Sequence, residues 1–215
     1  MCLSSHFEKC RRVRDAFSRR EHDAWSCDLL PTESELTKAE GRHIQGDVLQ
    51  ILDQGWDLMI GHPPCTYISY AGTSCWNAPG RLTNRLEALD FFAKLWEAPI
   101  KKICLENPMG CASPTIAKYT QIIQPYYFGD KESKRTCLWL KGLPKLKHKK
   151  GDDLFETNTH TEPKIYGYYL KGKKKGMPIY GNSYLKFSDD RAKIRSKTYI
   201  GIAQAMADQW GKVKK

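Results

Sequence analysis

The stretch 56-WDLMIGHPPCTYIS-69 decides the fold. Leu58, Met59 and Ile60 form a compact apolar run of strand length. Pro63 and Pro64 end it, because each proline ring fixes φ and removes a main-chain donor. A strand of the buried type therefore runs into a stiff loop that carries Cys65. A cysteine so placed can be a packed thiol, a metal ligand, a redox group or a nucleophile.

Upstream, 11-RRVRDAFSRR-20 reads as a helix with Val13 and Phe17 on one face. The stretch 23-DAWSCDLLP-31 reads as a short strand and a turn, and 43-HIQGDVLQIL-52 as a strand at His43 to Gln45 with a short helix after Asp47. Downstream, 84-NRLEALDFFAKLWEA-98 has Leu86, Leu89, Ala93 and Trp96 at helical spacing, with Thr83 or Asn84 as its cap and Pro99 at its exit. Then 100-IKKICLENP-108 is strand followed by turn, and 134-KRTCLWL-140 is a further strand. This alternation is a βαβ series. It predicts an α/β fold, a mostly parallel sheet flanked by helices, with the chemistry just after the strands.

From about 141 to 180 the chain turns basic and polar. The runs 145-KLKHKK-150 and 171-KGKKK-175 are separated by a stretch containing 166-YGYY-169, and the segment reads as an irregular, solvent-facing insertion. A last helix over about 198–210 carries Ile202, Ala205, Met206 and Trp210 at helical spacing, so residues 1–215 are expected to form one domain.

A composition of 40% hydrophobic residues, rich in Trp, Tyr and Phe, argues against disorder, and a net charge of +11 permits a nucleic-acid, nucleotide or anionic-surface partner. No apolar run reaches 18 residues, so no membrane span is expected. The eight cysteines are spread along the chain rather than clustered, which fits reduced thiols and a cytoplasmic setting. His62 and Cys65 could pair with Cys104, Cys111 or Cys137 around a metal. No two-cysteine knuckle occurs, and no metal is expected.

Glu106 and Asn107 follow their strand as Cys65 follows its own. In a parallel sheet the two loops leave at the same edge. A cysteine and a carboxyl converging there suit one chemistry. A thiolate adds to C6 of a pyrimidine while the acid binds N3 and the exocyclic group, and C5 becomes nucleophilic enough to accept a one-carbon group. The thiol, with an ordinary pKa of about 8.5, must first lose its proton.

On these residues the chain resembles the DNA cytosine-5 methyltransferases, especially short phage or prophage forms. The proline-proline-cysteine loop of that family matches Pro63, Pro64 and Cys65, and its ENV signature matches Glu106, Asn107 and, imperfectly, Pro108. A basic signature is matched loosely by Lys134 and Arg135. The resemblance implies a Rossmann-like S-adenosylmethionine-dependent methyltransferase fold and methyl transfer to C5 of a cytosine flipped out of DNA. Cys65 would be the nucleophile, Glu106 the acid, and Arg135 would help to place the base. Asp28 and Asp47, with Pro63 and Asn107, would contact S-adenosylmethionine. Pro64, Thr66, Asn107 and Lys134 would contact the substrate.

The sequence departs from the family at three places. Thr66 stands where the family usually has Gln. The glycine-rich turn after the first strand corresponds to 7-FEKCRRVRDAF-17, with Cys10 and Arg11 or Arg12 at the small positions and no glycine before Gly41. Only residues 141–197 stand where larger members carry a target-recognition domain. These departures keep two other readings open: a catalytically inactive homologue that binds DNA or a partner enzyme, and an enzyme acting on a free pyrimidine nucleotide.

Overall fold

The computed structural model describes residues 2–4, 9–32, 35–149, 159–181 and 198–211. Its main sheet has seven strands: β1 (Cys2–Ser4), β2 (Ser26–Asp28), β3 (His43–Gln45), β4 (Leu58–His62), β5 (Lys102–Asn107), β6 (Gln121–Ile123) and β7 (Thr136–Lys141). They lie in the order β3-β2-β1-β4-β5-β7-β6. The first five pair in parallel, and β7 runs antiparallel to both β5 and β6. The sheet is therefore mixed.

Side chains alternate across the central strands, as the period of two requires. Ile60, Cys104 and Leu138 pack with Val13 and Phe17 of α1 (Lys9–Ser18) and with Ile202, Met206 and Trp210 of the C-terminal helix. Met59, Ile103, Leu105 and Trp139 face the other way, against Phe92 and Leu95 of α3 (Arg81–Glu97). Short helices α2 (Glu35–Glu40) and α4 (Ala112–Thr115) complete the connections, and α5 (Ile200–Trp210) closes the first face. Among the described residues no helix is long and apolar enough to cross a membrane.

Several expectations are corrected. The buried stripe of α3 is Ala88, Phe92 and Leu95, while Leu86 is 58% exposed. That helix has apolar residues on neighbouring faces, so spacing alone did not choose between them. Neither Thr83 nor Asn84 caps it: Gly80, with φ of 73°, precedes Arg81, and no side chain caps the end. The element after Asp47 is one 3-10 turn, Val48–Gln50. Lys134 and Arg135 precede β7 instead of forming its start.

The stretch read as irregular and solvent-facing contains order. Leu146 is buried, and its main chain exchanges hydrogen bonds of 2.8 and 2.9 Å with the Gln121 side chain. His148 stacks on Tyr127 at 4.4 Å between ring centres. Strands β8 (Ile165–Tyr168) and β9 (Pro178–Tyr180) form a separate antiparallel ribbon.

Candidate functional site

Strands β4 and β5 run side by side with Ile60 opposite Cys104 and Gly61 opposite Leu105, so their carboxyl ends stop together. The loops leaving them are stitched to each other. Asn107 Nδ2 donates to the Pro63 carbonyl at 2.8 Å, Tyr70 N to the Met109 carbonyl at 3.0 Å, and Cys111 N to the Ile68 carbonyl at 2.9 Å. Ser69 and Gly110 form an isolated bridge between them. Within the first loop, Ser69 N donates to the Cys65 carbonyl at 3.0 Å, closing a tight turn. Pro63 is buried, Pro64 and Cys65 are half-buried and Thr66 is exposed, so the thiol sits at the mouth of a fixed loop.

The approach of the two loops depends on Gly110. A Cβ there would run into the Ile68 carbonyl oxygen and crowd the Ser69 Cα, main-chain atoms that cannot swing aside. Gly110→Ala is expected to push the Cys65 loop off the end of β5 and to destabilise the protein by about 1–3 kcal/mol. A denaturant titration measures the second effect; an unchanged midpoint would contradict the close packing.

Glu106 is only 3% exposed. Its Oε2 lies 3.2 Å from His62 Nδ1, and its Oε1 lies 3.9 Å from Lys134 Nζ, which also stands 5.8 Å from the centre of the Tyr199 ring. The carboxyl is thus held between an imidazole and an ammonium. Sequence reading assigned the catalytic part to Arg135 and a binding part to Lys134. In the structure Lys134 is the basic residue at the carboxyl, whereas Arg135 is exposed and directs Nη1 to Met109 Sδ at 3.7 Å. The place of His62 was missed. The signal was present in the parallel register, which sets the residue before the two prolines beside the glutamate of the next strand.

Next to this pair is a small cavity of about 60 Å³ whose walls include Asp28, Asp47, Val48, His62, Pro63 and Phe91. It brings together three of the four residues expected to contact S-adenosylmethionine; the fourth, Asn107, reaches it through its bond to Pro63. Asp28 ends β2, and its Oδ1 accepts a hydrogen bond from Leu30 N at 3.1 Å. Burial pushes its carboxyl above the usual value, against the hydrogen bonds from Leu30 and Leu29 and the nearby His43. Asp47 caps the 3-10 turn through Leu49 N at 3.0 Å. Asp28 and Asp47 offer hydrogen-bond acceptors to the hydroxyls of a sugar, beside apolar Val48 and Phe91 that suit a flat base.

The register proposed for the turn after the first strand is corrected. Cys10, Arg11 and Arg12 lie inside α1, and residues 5–8, between β1 and that helix, fall outside the described residues. The larger cavity, about 940 Å³, opens at the opposite end of the sheet between Trp25, Trp56 and Trp210 and touches none of the expected site residues. Open α/β sheets carry their sites at the carboxyl edge of the strands, where the Cys65 and Glu106 loops meet, whatever the size of a cavity elsewhere.

Among the described residues no group of three His, Cys, Asp or Glu could hold a metal ion. Cys27 and Cys137 are buried thiols pushed up to about 11, chiefly by burial, and Cys104 and Cys111 are buried as well. Of the six cysteines whose side chains are described, only Cys65 and Cys75 reach the surface. Iodoacetamide at pH 8, read by peptide mass, is therefore expected to label these two in the folded protein and the other four only after unfolding.

No family model matches the chain. No curated protein matches it. Among solved structures it is similar to the Entamoeba histolytica methyltransferase EhMeth, at 16% identity over 75% of this chain and 57% of that one, with a TM-score of 0.43. The chain thus spans less than two thirds of that protein, and a likeness of this degree carries no argument about reaction or substrate.

Proposed function

We propose that the protein is an S-adenosylmethionine-dependent methyltransferase acting on C5 of cytosine in DNA through a covalent adduct with Cys65. The observation that carries this reading is the seam itself. A partly exposed cysteine lies in a proline-fixed loop that is hydrogen-bonded to the loop of a buried glutamate, and that glutamate is flanked by His62 and Lys134. The topology supports it: six strands point one way, the seventh is reversed, and the site lies at the carboxyl edge.

In this reading the Cys65 thiolate forms a bond to C6, the π electrons of the C5–C6 bond shift into the C4–C5 bond, and those of the C4–N3 double bond move to N3. Glu106, held by His62 and Lys134, donates a proton to N3 as that charge develops. Bound against Asp28 and Asp47, S-adenosylmethionine would supply the methyl group. Loss of the C5 proton to solvent, return of the N3 proton to Glu106 and departure of Cys65 then restore the C5–C6 double bond and free the thiolate, and S-adenosylhomocysteine would be the other product. The half-buried position of Cys65 leaves it open to a base presented from outside, which for a paired cytosine requires flipping at a cost of a few kcal/mol.

Calorimetry with S-adenosylmethionine and trapping with DNA that contains 5-fluorocytosine test the proposal together. Fluorine at C5 cannot leave as a proton does, so the adduct accumulates after methyl transfer. Cofactor binding and a stable protein–DNA adduct that depends on the cofactor are expected. A folded protein that fails to bind millimolar cofactor would instead be an inactive homologue, and an adduct with the nucleotide alone would move the substrate away from DNA.

A further inference from the structure

The β8–β9 ribbon has no part in the chemistry above, yet it concentrates charge more than any other short stretch of described chain. Lys171, Lys173, Lys174 and Lys175 fall within five residues of its connecting turn, and all four are exposed. The turn is a built one. Lys175 N donates to the Gly172 carbonyl at 3.0 Å, Gly176 N to Tyr169 at 2.8 Å, and Met177 N to Lys174 at 2.9 Å. Gly172 and Gly176 take φ of 77° and 81°, the left-handed region that glycine adopts without strain. Main-chain hydrogen bonds thus hold the backbone that carries four exposed like charges, a local positive patch that attracts an anion.

The same ribbon exposes large apolar groups beside the lysines. Tyr168 is 56% exposed, Leu170 82% and Met177 53%. At its root the ribbon is fixed to the loop that leads into β7. Lys164 N donates to the Lys131 carbonyl at 2.8 Å, and the Tyr166 hydroxyl donates to Glu132 Oε1 at 2.9 Å. Gly181, just past β9, leaves room for that glutamate side chain, so Glu132 meets both strands of the ribbon at its root. Two residues on from Glu132 is Lys134, the partner of Glu106.

We infer that the β8–β9 ribbon is a DNA-binding arm. Its lysines contact phosphates, and its exposed tyrosine, leucine and methionine lie against the groove, so the substrate of the site is a polymer and not a free nucleotide. A two-stranded ribbon fits the width of the major groove, and phosphate contacts position a protein without reading sequence. This rests on the reading of Cys65 as a cytosine nucleophile only for its link to catalysis; the arm can be tested without it.

The test uses the full chain and a fluorescein-labelled DNA duplex, with anisotropy read between 50 and 200 mM salt. Each phosphate contact adds about 0.9 to the slope of log affinity against log salt. Replacing the four lysines by alanine should flatten that slope by about 3 to 4. Across this salt range the unaltered protein should then lose about 100-fold more affinity than the variant. Replacing the same four lysines by arginine should restore the slope.

Trapping with 5-fluorocytosine is run beside the binding. Lysine-dependent binding without any adduct would sustain the arm and sink the nucleophile. An adduct formed equally by the unaltered and the alanine proteins, with the same salt slope, would sink the arm and sustain the nucleophile. Tighter, equally lysine-dependent binding to RNA would overturn DNA as the partner.

Discussion

Cys65→Ser protein is expected to form no adduct with fluorocytosine DNA and to lose about 10⁴-fold or more in methyl transfer, the scale seen when a covalent nucleophile is removed. A serine hydroxyl at the mouth of the same loop keeps the shape of the site but offers no thiolate. The loop should persist, because its bonds to Met109, Asn107 and Cys111 do not involve the sulfur. Cofactor binding should be unchanged, since Cys65 does not line the cavity between Asp28 and Asp47. Tryptic mapping of the adduct gives the decisive reading. A cross-link that survives the substitution and maps to Cys75, the other surface thiol among the described cysteines, would overturn the assignment.

Glu106→Gln is expected to lower turnover by about 10² to 10⁴, because the amide keeps the carboxyl's shape but cannot hand a proton to N3. The residue is buried against His62 and near Lys134, so the variant also replaces the carboxyl that those two groups face. Single-turnover transfer at saturating cofactor isolates the chemical step, and the thermal midpoint measured alongside separates it from a fold effect. Unchanged single-turnover rates in a folded variant would remove Glu106 from the mechanism. Lys134→Met should follow in the same direction if the ammonium holds the carboxyl in place.

Much of the fold and part of the site were legible in the sequence, and the reasons differ. The β4 run was readable because Leu58, Met59 and Ile60 are followed by two prolines, and β3 because it lies between Gly41 and Gly46. The burial of Val13, Phe17, Ile202, Met206 and Trp210 followed from helical spacing. The inner face of α3 did not, because Leu86 and Leu89 compete with Ala88, Phe92 and Leu95 and only the sheet decides between them. Strand β6 and the ribbon were hidden for another reason. Gln121–Ile123 and Pro178–Tyr180 are too short to show a period. At the site, the meeting of the Cys65 and Glu106 loops could be anticipated from two strands ending alike. That His62 and Lys134 would take the two oxygens of Glu106 depended on register, which composition does not carry.

The seam between the two loops has a consequence for how the protein can change. Tyr70 with Met109, and Cys111 with Ile68, are joined through main-chain groups, and Asn107 holds Pro63 by its carbonyl. The position of the thiol is therefore set by backbone, while the exposed side chains around it, Thr66 and Tyr70 among them, carry no share of the fastening. Libraries randomised at 66 and 70 should keep a working catalytic core while sampling new target preferences, whereas Gly110 and Asn107 tolerate no such freedom. The scaffold separates what must stay fixed from what selection can rewrite.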